Sequence, residues 1–245
     1  MKTLAATAGA AAALVLALVA PVAPAHAVNP HGGDGLRAAS PRAVELGGVR
    51  VRLQPGTEQV VTLNRRRGHH ATVTFWARDA DGGWTARRTA RDGRIGYGGV
   101  VPGDRRRQGT GTTPLGTHRL FSTFGTHGRA TARRAGWDLP YRPIRRGDFW
   151  VQDNRSRFYN RYRNISRGGF RPHTSERLTD YGAQYEYVVV LDYNREQVRG
   201  RGAGIFLHVN GDGATAGCVS APRRILAFAM RWLDPAKHPV VAVGR

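Results

Sequence analysis

Cysteine is almost absent from this chain. Cys218 is the only one in 245 residues, so no disulfide can form within the chain and burial must stabilise the fold by itself. Acidic residues are also few, 17 against 38 basic ones, which leaves a formal net charge of +21. Nearly all of that basicity is arginine, spread in short runs such as Arg65–Arg67, Arg105–Arg107, Arg133–Arg134, Arg145–Arg146 and Arg223–Arg224. Arginine distributed in this way reads first as a solvated surface and second as an attraction for a polyanion, weakened by salt. No His-Glu-x-x-His helix occurs among the nine scattered histidines, and His69-His70 reads as a loop pair. That excludes a zinc peptidase, and neither a metal nor any other cofactor is expected. The glycine-rich stretch Gly109–Thr117 lacks the Gly-Lys-Ser/Thr ending of a phosphate-binding loop. Helix-turn-helix, zinc-finger and RNA-recognition patterns are missing too, so nucleic acid is not an expected partner.

Long apolar runs are absent beyond the N-terminus. Residues 1–27 carry Lys2, an Ala/Leu/Val-rich core through Val19, and the small-residue site Ala25-His26-Ala27. This reads as a cleavable secretory signal and not a stop-transfer anchor, so the expectation is a secreted, extracytoplasmic protein with no stable membrane anchor after cleavage. Residues 28–56 are rich in Gly, Ala, Pro and Arg. Weak alternation at Val49, Val51 and Leu53 predicts a flexible arm that contributes one strand. Residues 57–245 are read as one domain.

Strand signals dominate that domain. Gln59–Leu63, Ala71–Ala77, Arg94–Tyr97 and His118–Phe121 are short, rich in Val, Thr and aromatics, and separated by glycine turns. Tyr185–Asp192 alternates into a Val-Val-Val-Leu run that predicts a central strand, and Val240–Val243 closes the chain with another. Ile225, Leu226, Ala229 and Leu233 share one face of the only convincing helix. Residues 123–180 read as irregular, aromatic and arginine-rich, a length that suggests a binding loop or lid. The fold class is mainly β.

The chemistry concentrates in GIFLHVNGDGATAGCVSAP, residues 204–222. Ile205, Phe206 and Leu207 predict a buried strand that ends near His208. Asn210, Gly211, Asp212 and Gly213 are turn residues. Ser220 and Pro222 predict an N-cap and first-turn proline for the helix that follows, which would set Cys218 just ahead of a helix N-terminus. There the helix dipole can lower a thiol pKa from about 8.5 into roughly the 3.5–7.5 range. Taken singly, such a cysteine or histidine is more often a packed core residue. An unpaired thiol in a chain read as exported, flanked by Gly217 and near a histidine, points to a cysteine nucleophile with His208 as its base.

His208 followed by Thr215-Ala216-Gly217-Cys218-Val219-Ser220 resembles the catalytic signature of the YkuD-type L,D-transpeptidase family. TGTTPLGTHRL (110–120) is similar to that family's Thr-Pro-x-Gly-Thr segment, and DFWVQDNRSRFYNRY (148–162), YEYVVVLDYN (185–194) and RWLDPAKHPVVAVG (231–244) resemble a branch of extracytoplasmic members. The family often has other residues where this chain has Ala216, Val209 and Ser220. The resemblance implies a β-sandwich catalytic domain with a helix after the cysteine. It implies Cys218 as nucleophile and His208 as base; the tetrahedral oxyanion of such an attack needs donors, and the backbone N–H groups of Gly217 and Cys218 at the turn into the helix are the expected ones. The resemblance also places Trp150, Tyr159 and Asn160 near a substrate groove, with packing beneath the loop as the alternative for those three, and adds Thr215 to the substrate contacts. The implied partners are peptidoglycan stem peptides, with anionic wall polymers as a further possibility, and the implied activity is stem-peptide cross-linking through a thioester. The same pair supports a carboxypeptidase or other wall-peptide hydrolase. A sortase would need a downstream strand arginine and membrane retention, and a non-catalytic basic wall-binding module would leave Cys218 inert.

Overall fold

The computed structural model describes residues 42–245, so the signal reading of residues 1–27 and most of the arm lie outside the described residues. The described chain is mainly β, as the strand signals predict. Its strands are β1 (Ala43–Leu46), β2 (Val49–Arg52), β3 (Gln59–Arg65), β4 (His70–Arg78), β5 (Trp84–Arg94), β6 (Val100–Pro102), β7 (Thr113–Gly125), β8 (Tyr141–Pro143), β9 (Asp148–Trp150), β10 (Tyr162–Asn164), β11 (Glu176–Arg177), β12 (Val188–Leu191), β13 (Phe206–Val209), β14 (Val219–Ala221) and β15 (Val240–Gly244). Two α-helices join them, the short α1 (Arg129–Arg134) and α2 (Arg223–Trp232).

The main sheet closes on itself. Its path runs β12-β13-β14-β5-β4-β3-β15-β7, and β7 pairs back onto β12, so the expected two-layer sandwich takes the form of a ring of strands. Alternation along the strands splits the apolar residues between its faces. Val61, Leu63, Val189, Leu191, Leu207, Val209, Val241 and Val243 share one core with Ile225, Leu226, Ala229 and Met230 of α2. The residues between them face the other way and meet two separate covers. Val60, Val240 and Ala242 pack beneath the hairpin β1–β2, and Phe124, Val188, Val190 and Phe206 pack beneath Trp150, Tyr159, Leu178 and Tyr185.

Two parts of the sequence reading change here. Residues 42–56 supply a hairpin instead of one strand, because Gly47 and Gly48 at φ +57° and +76° make a two-residue turn whose twist suits paired strands. Leu46, Val49, Val51 and Leu53 are buried in it. The stretch 123–180, read as irregular, holds α1, β8 and the small sheet β10-β9-β11. Its connections are tied by polar bonds: Arg171 Nη2 meets Asp153 at 2.6 Å, and that carboxylate also accepts the backbone N–H of Arg155 and Arg171. The hydrogen bonds from Arg171 hold the Asp153 carboxyl well below the usual range.

The hairpin therefore belongs to the folded unit. Val51→Ala leaves a hole beneath it and is expected to lower stability by roughly 1–3 kcal/mol. Urea denaturation measures this; an unchanged midpoint would return residues 42–56 to the status of a loose arm.

Candidate active site

His208 and Cys218 meet through strand register. β13 and β14 run parallel, with Leu207 opposite Val219 and His208 opposite Ser220. Residues two apart on a strand share a face, so Phe206 and His208 on one strand and Cys218 and Ser220 on the next point the same way, outward from the helix-filled core. Both His208 and Cys218 line one cavity of about 350 Å³, together with Arg106, Glu176, Tyr181, Tyr185, Gly204 and Thr215 among others.

The imidazole is oriented by the backbone. His208 Nδ1 lies 2.7 Å from the carbonyl oxygen of Val209, which can only accept, so Nδ1 carries the proton and Nε2 keeps its lone pair. A backbone carbonyl, and not another side chain, therefore orients the ring. Tyr185 packs edge-on against the ring at 5.5 Å between centroids.

Cys218 sits half-buried at the end of a tightly held turn. Thr113 Oγ1 donates to the Gly217 carbonyl at 2.9 Å and accepts the Gly96 N–H at 2.8 Å. Thr215 Oγ1 donates to the Cys218 carbonyl at 2.6 Å and accepts the Gly217 N–H at 3.1 Å. Gly217 has φ +130°, and a Cβ there would lie 2.6 Å from Arg106 Nη2 and 2.8 Å from the Thr112 carbonyl. The position requires glycine. The thiol itself donates to the Gly204 carbonyl at 3.3 Å.

Several site expectations need correction. Three residues of β14 separate Cys218 from α2, whose first helical residue is Arg223, with Pro222 at the N-cap. Ser220 is buried in β14 and donates to Asn210 Oδ1 at 2.7 Å, so it caps nothing. The thiol thus gains no helix-end stabilisation. Burial pushes it up to about 12, with the Glu176 carboxylate adding to the rise, against a backbone hydrogen bond from Phe206 and the charge of Arg106. Burial pushes His208 down to about 4. At neutral pH both partners are uncharged. The Gly217 N–H, expected as an oxyanion donor, is committed to Thr215. Thr215 borders the cavity, but both of its hydroxyl bonds hold the turn.

Trp150, Tyr159 and Asn160 do not line the cavity of the pair; they are packed and polar-bonded beneath its wall. Asn160 accepts the Trp150 indole N–H at 2.8 Å and the Gly204 N–H at 3.0 Å, and Tyr159 OH accepts the Gly202 N–H at 2.9 Å. These bonds fix the segment 202–204 that touches the thiol.

Sequence reasoning missed two charged residues. Glu176 in β11 accepts Gln152 Nε2 at 2.8 Å and the hydroxyl of Tyr185, and burial raises it to about 7. Arg106, inside a run read as surface charge, is 5% exposed. A lone glutamate in an apparently irregular stretch gives no sequence signal; nor does the middle arginine of three.

Iodoacetamide should alkylate Cys218 more slowly at pH 7 than a model thiol, with a rate still climbing above pH 9, and Glu176→Gln should move that profile to lower pH. Fast alkylation at pH 6–7 would mean a stabilised thiolate. Gly217→Ala is expected to abolish the turn geometry. Its measure is loss of the wild-type alkylation profile together with a lower melting temperature.

No protein-family model and no curated protein matches the chain. Among solved structures it is similar to the helical cell shape determining protein Pgp2 from Campylobacter jejuni. That likeness has 13% identity and a TM-score of 0.39, covering 77% of this chain and 48% of that one. A point mutant of the same protein gives 14% identity and a TM-score of 0.38, over 77% and 47%. The chain thus spans about half the length of the structures it matches.

Proposed function

We propose that this protein is an extracytoplasmic, wall-associated peptidoglycan L,D-transpeptidase that works through a Cys218 thioester. The observation that carries the reading is the His208 Nδ1–Val209 bond, which leaves Nε2 as a proton acceptor on the face and in the cavity shared with the only thiol. The resemblance of residues 208–220 to the L,D-transpeptidase signature supplies the substrate class.

With both partners neutral, the thiol proton passes to His208 Nε2 as Sγ attacks the amide carbonyl between the diaminoacyl residue and D-alanine. The new C–S bond produces a tetrahedral oxyanion, assigned to the Cys218 N–H. As the C–N bond breaks, the imidazolium returns its proton to the leaving amine and D-alanine departs. The side-chain amine of a second stem then attacks the thioester, His208 accepts its proton, and that proton goes to the departing sulfur. The products are a cross-linked dimer and the free thiol. Water in place of the amine yields a trimmed tripeptide by the same steps.

Intact-mass spectrometry with purified tetrapeptide muropeptides tests this, wild type beside Cys218→Ser. The expected result is an adduct on wild type alone, loss of D-alanine and a dimeric product. Tripeptide without dimer would identify a carboxypeptidase; a folded protein with neither adduct nor product would overturn the enzymatic reading. His208→Ala should slow turnover by roughly 10²–10⁴-fold. Because His208 must be neutral to accept a proton, kcat/KM should hold toward acid and fall as pH drops through about 4.

A further inference from the structure

Arg106 is a buried cation without an anion among the described residues. Its Nε donates to the Thr112 carbonyl at 2.6 Å and its Nη1 to the Arg201 carbonyl at 3.1 Å, while the guanidinium lies 5.6 Å from the centre of the Tyr193 ring. These contacts fix the group in place, but carbonyl dipoles and a ring face do not neutralise a full charge. Among the described residues no carboxylate lies within ion-pair reach of it. Glu176, the carboxyl group that burial drives toward its acid form in the same cavity, is bonded instead to Gln152 and Tyr185. An isolated ion removed from water is strongly disfavoured unless something compensates it.

The third nitrogen is where compensation can occur. Nη2 donates to no protein atom among the described residues, and Arg106 lines the cavity of the Cys/His pair. A Cβ on Gly217 would lie 2.6 Å from Nη2, so this nitrogen rests against the residue that precedes the nucleophile. Adjacent Cα atoms are about 3.8 Å apart. An anion on Nη2 therefore sits within about one residue of a carbonyl engaged by Cys218.

We propose that Arg106 is the carboxylate anchor of this cavity, selecting acyl donors that carry a free carboxylate one residue from the bond Cys218 attacks. This deepens the acyl-transfer reading and rests on it for the substrate class. It makes the protein selective for chain ends: the terminal carboxylate of the leaving amino acid occupies the guanidinium, and the same peptide amidated or extended at that end loses the contact. A fixed, desolvated guanidinium suits this task, because charge-assisted hydrogen bonds are stronger than neutral ones and Arg offers a rigid fork to a carboxylate.

The test measures binding by calorimetry to the full chain carrying Cys218→Ala, so that no turnover is required. The probes are a stem tetrapeptide ending in D-alanine and the same peptide ending in D-alaninamide. The acid should bind about 10–100-fold more tightly. In Cys218→Ala/Arg106→Gln the two affinities should converge, and in Cys218→Ala/Arg106→Lys part of the preference should return. Equal affinities in the Arg106-intact protein would overturn the proposal. So would an undiminished preference in a folded Arg106→Gln variant, or failure of both peptides to bind. The acid–amide comparison alone needs no change at Arg106, so it decides even if Arg106→Gln does not fold. The two readings fail separately: a persistent acid preference with no acyl adduct removes the transferase and leaves the anchor. An adduct formed equally from acid and amide does the reverse.

Discussion

The parallel ladder between β13 and β14 is the constraint on which the site depends, because a parallel pair obliges the chain to travel back along its own strand before pairing. Such connections usually take a dozen or more residues and a helix. Here residues 210–218 do it, and they contain no helix. The return is possible because it is itself paired: Thr215 N–H donates to the Ile95 carbonyl at 3.0 Å, and the Thr215 carbonyl accepts the Tyr97 N–H at 2.9 Å. The last step back into β14 then has to turn within one residue, which is the reason for Gly217 at φ +130° and for the hydroxyl clamps of Thr113 and Thr215. The Thr-Pro-x-Gly-Thr segment thus acts on the Cys218 turn through its own first residue, Thr113, at the start of β7.

Alternation along β13 assigns the next set of roles. Leu207 and Val209 go into the core with α2, so Phe206 and His208 must face outward, where the layer built from residues 144–204 covers them. That cover desolvates whatever it encloses. The thiol and the imidazole are each driven toward their neutral forms and Glu176 toward its acid form, and the Arg106 guanidinium lines the same cavity. One physical cause, exclusion of water, therefore sets the protonation of the pair and strengthens the anchoring proposed for Arg106.

Much of this was legible in the sequence. Val- and Thr-rich runs marked β3 and β4, continuous apolar runs marked β12 and β15, and the 3.6-residue apolar spacing marked α2. The histidine and cysteine were readable because the turn residues between them have few other uses. The strand expected at Arg94–Tyr97 ends at Arg94, with Gly96 making only an isolated bridge to Thr215. The body of β5 was missed since Trp84–Arg94 is mostly arginine and threonine, with only Ala90 and Gly93 buried: a strand exposed on most of its surface has no apolar alternation to display. The hairpin could have been found, because Leu46-Gly47-Gly48-Val49 is a two-residue turn signal between apolar residues. Arg106 could not. Arg105 and Arg107 beside it are exposed, and composition does not distinguish the one side chain of three that a fold draws inward. For Trp150, Tyr159 and Asn160 the sequence left groove and packing open, and the structure shows them packed.

The largest departure concerns the thiol. Helix-end placement would have produced a standing thiolate, the species that oxidants attack first. The strand residues Val219–Ala221 instead hold Cys218 away from α2, and burial keeps the sulfur protonated. In the proposed reaction the proton leaves only as the carbonyl carbon arrives, with His208 Nε2 already oriented to receive it. A carboxylate seated on Arg106 would bring that carbonyl to the sulfur. On the proposed reading the nucleophile is then quiet without its substrate and activated with it.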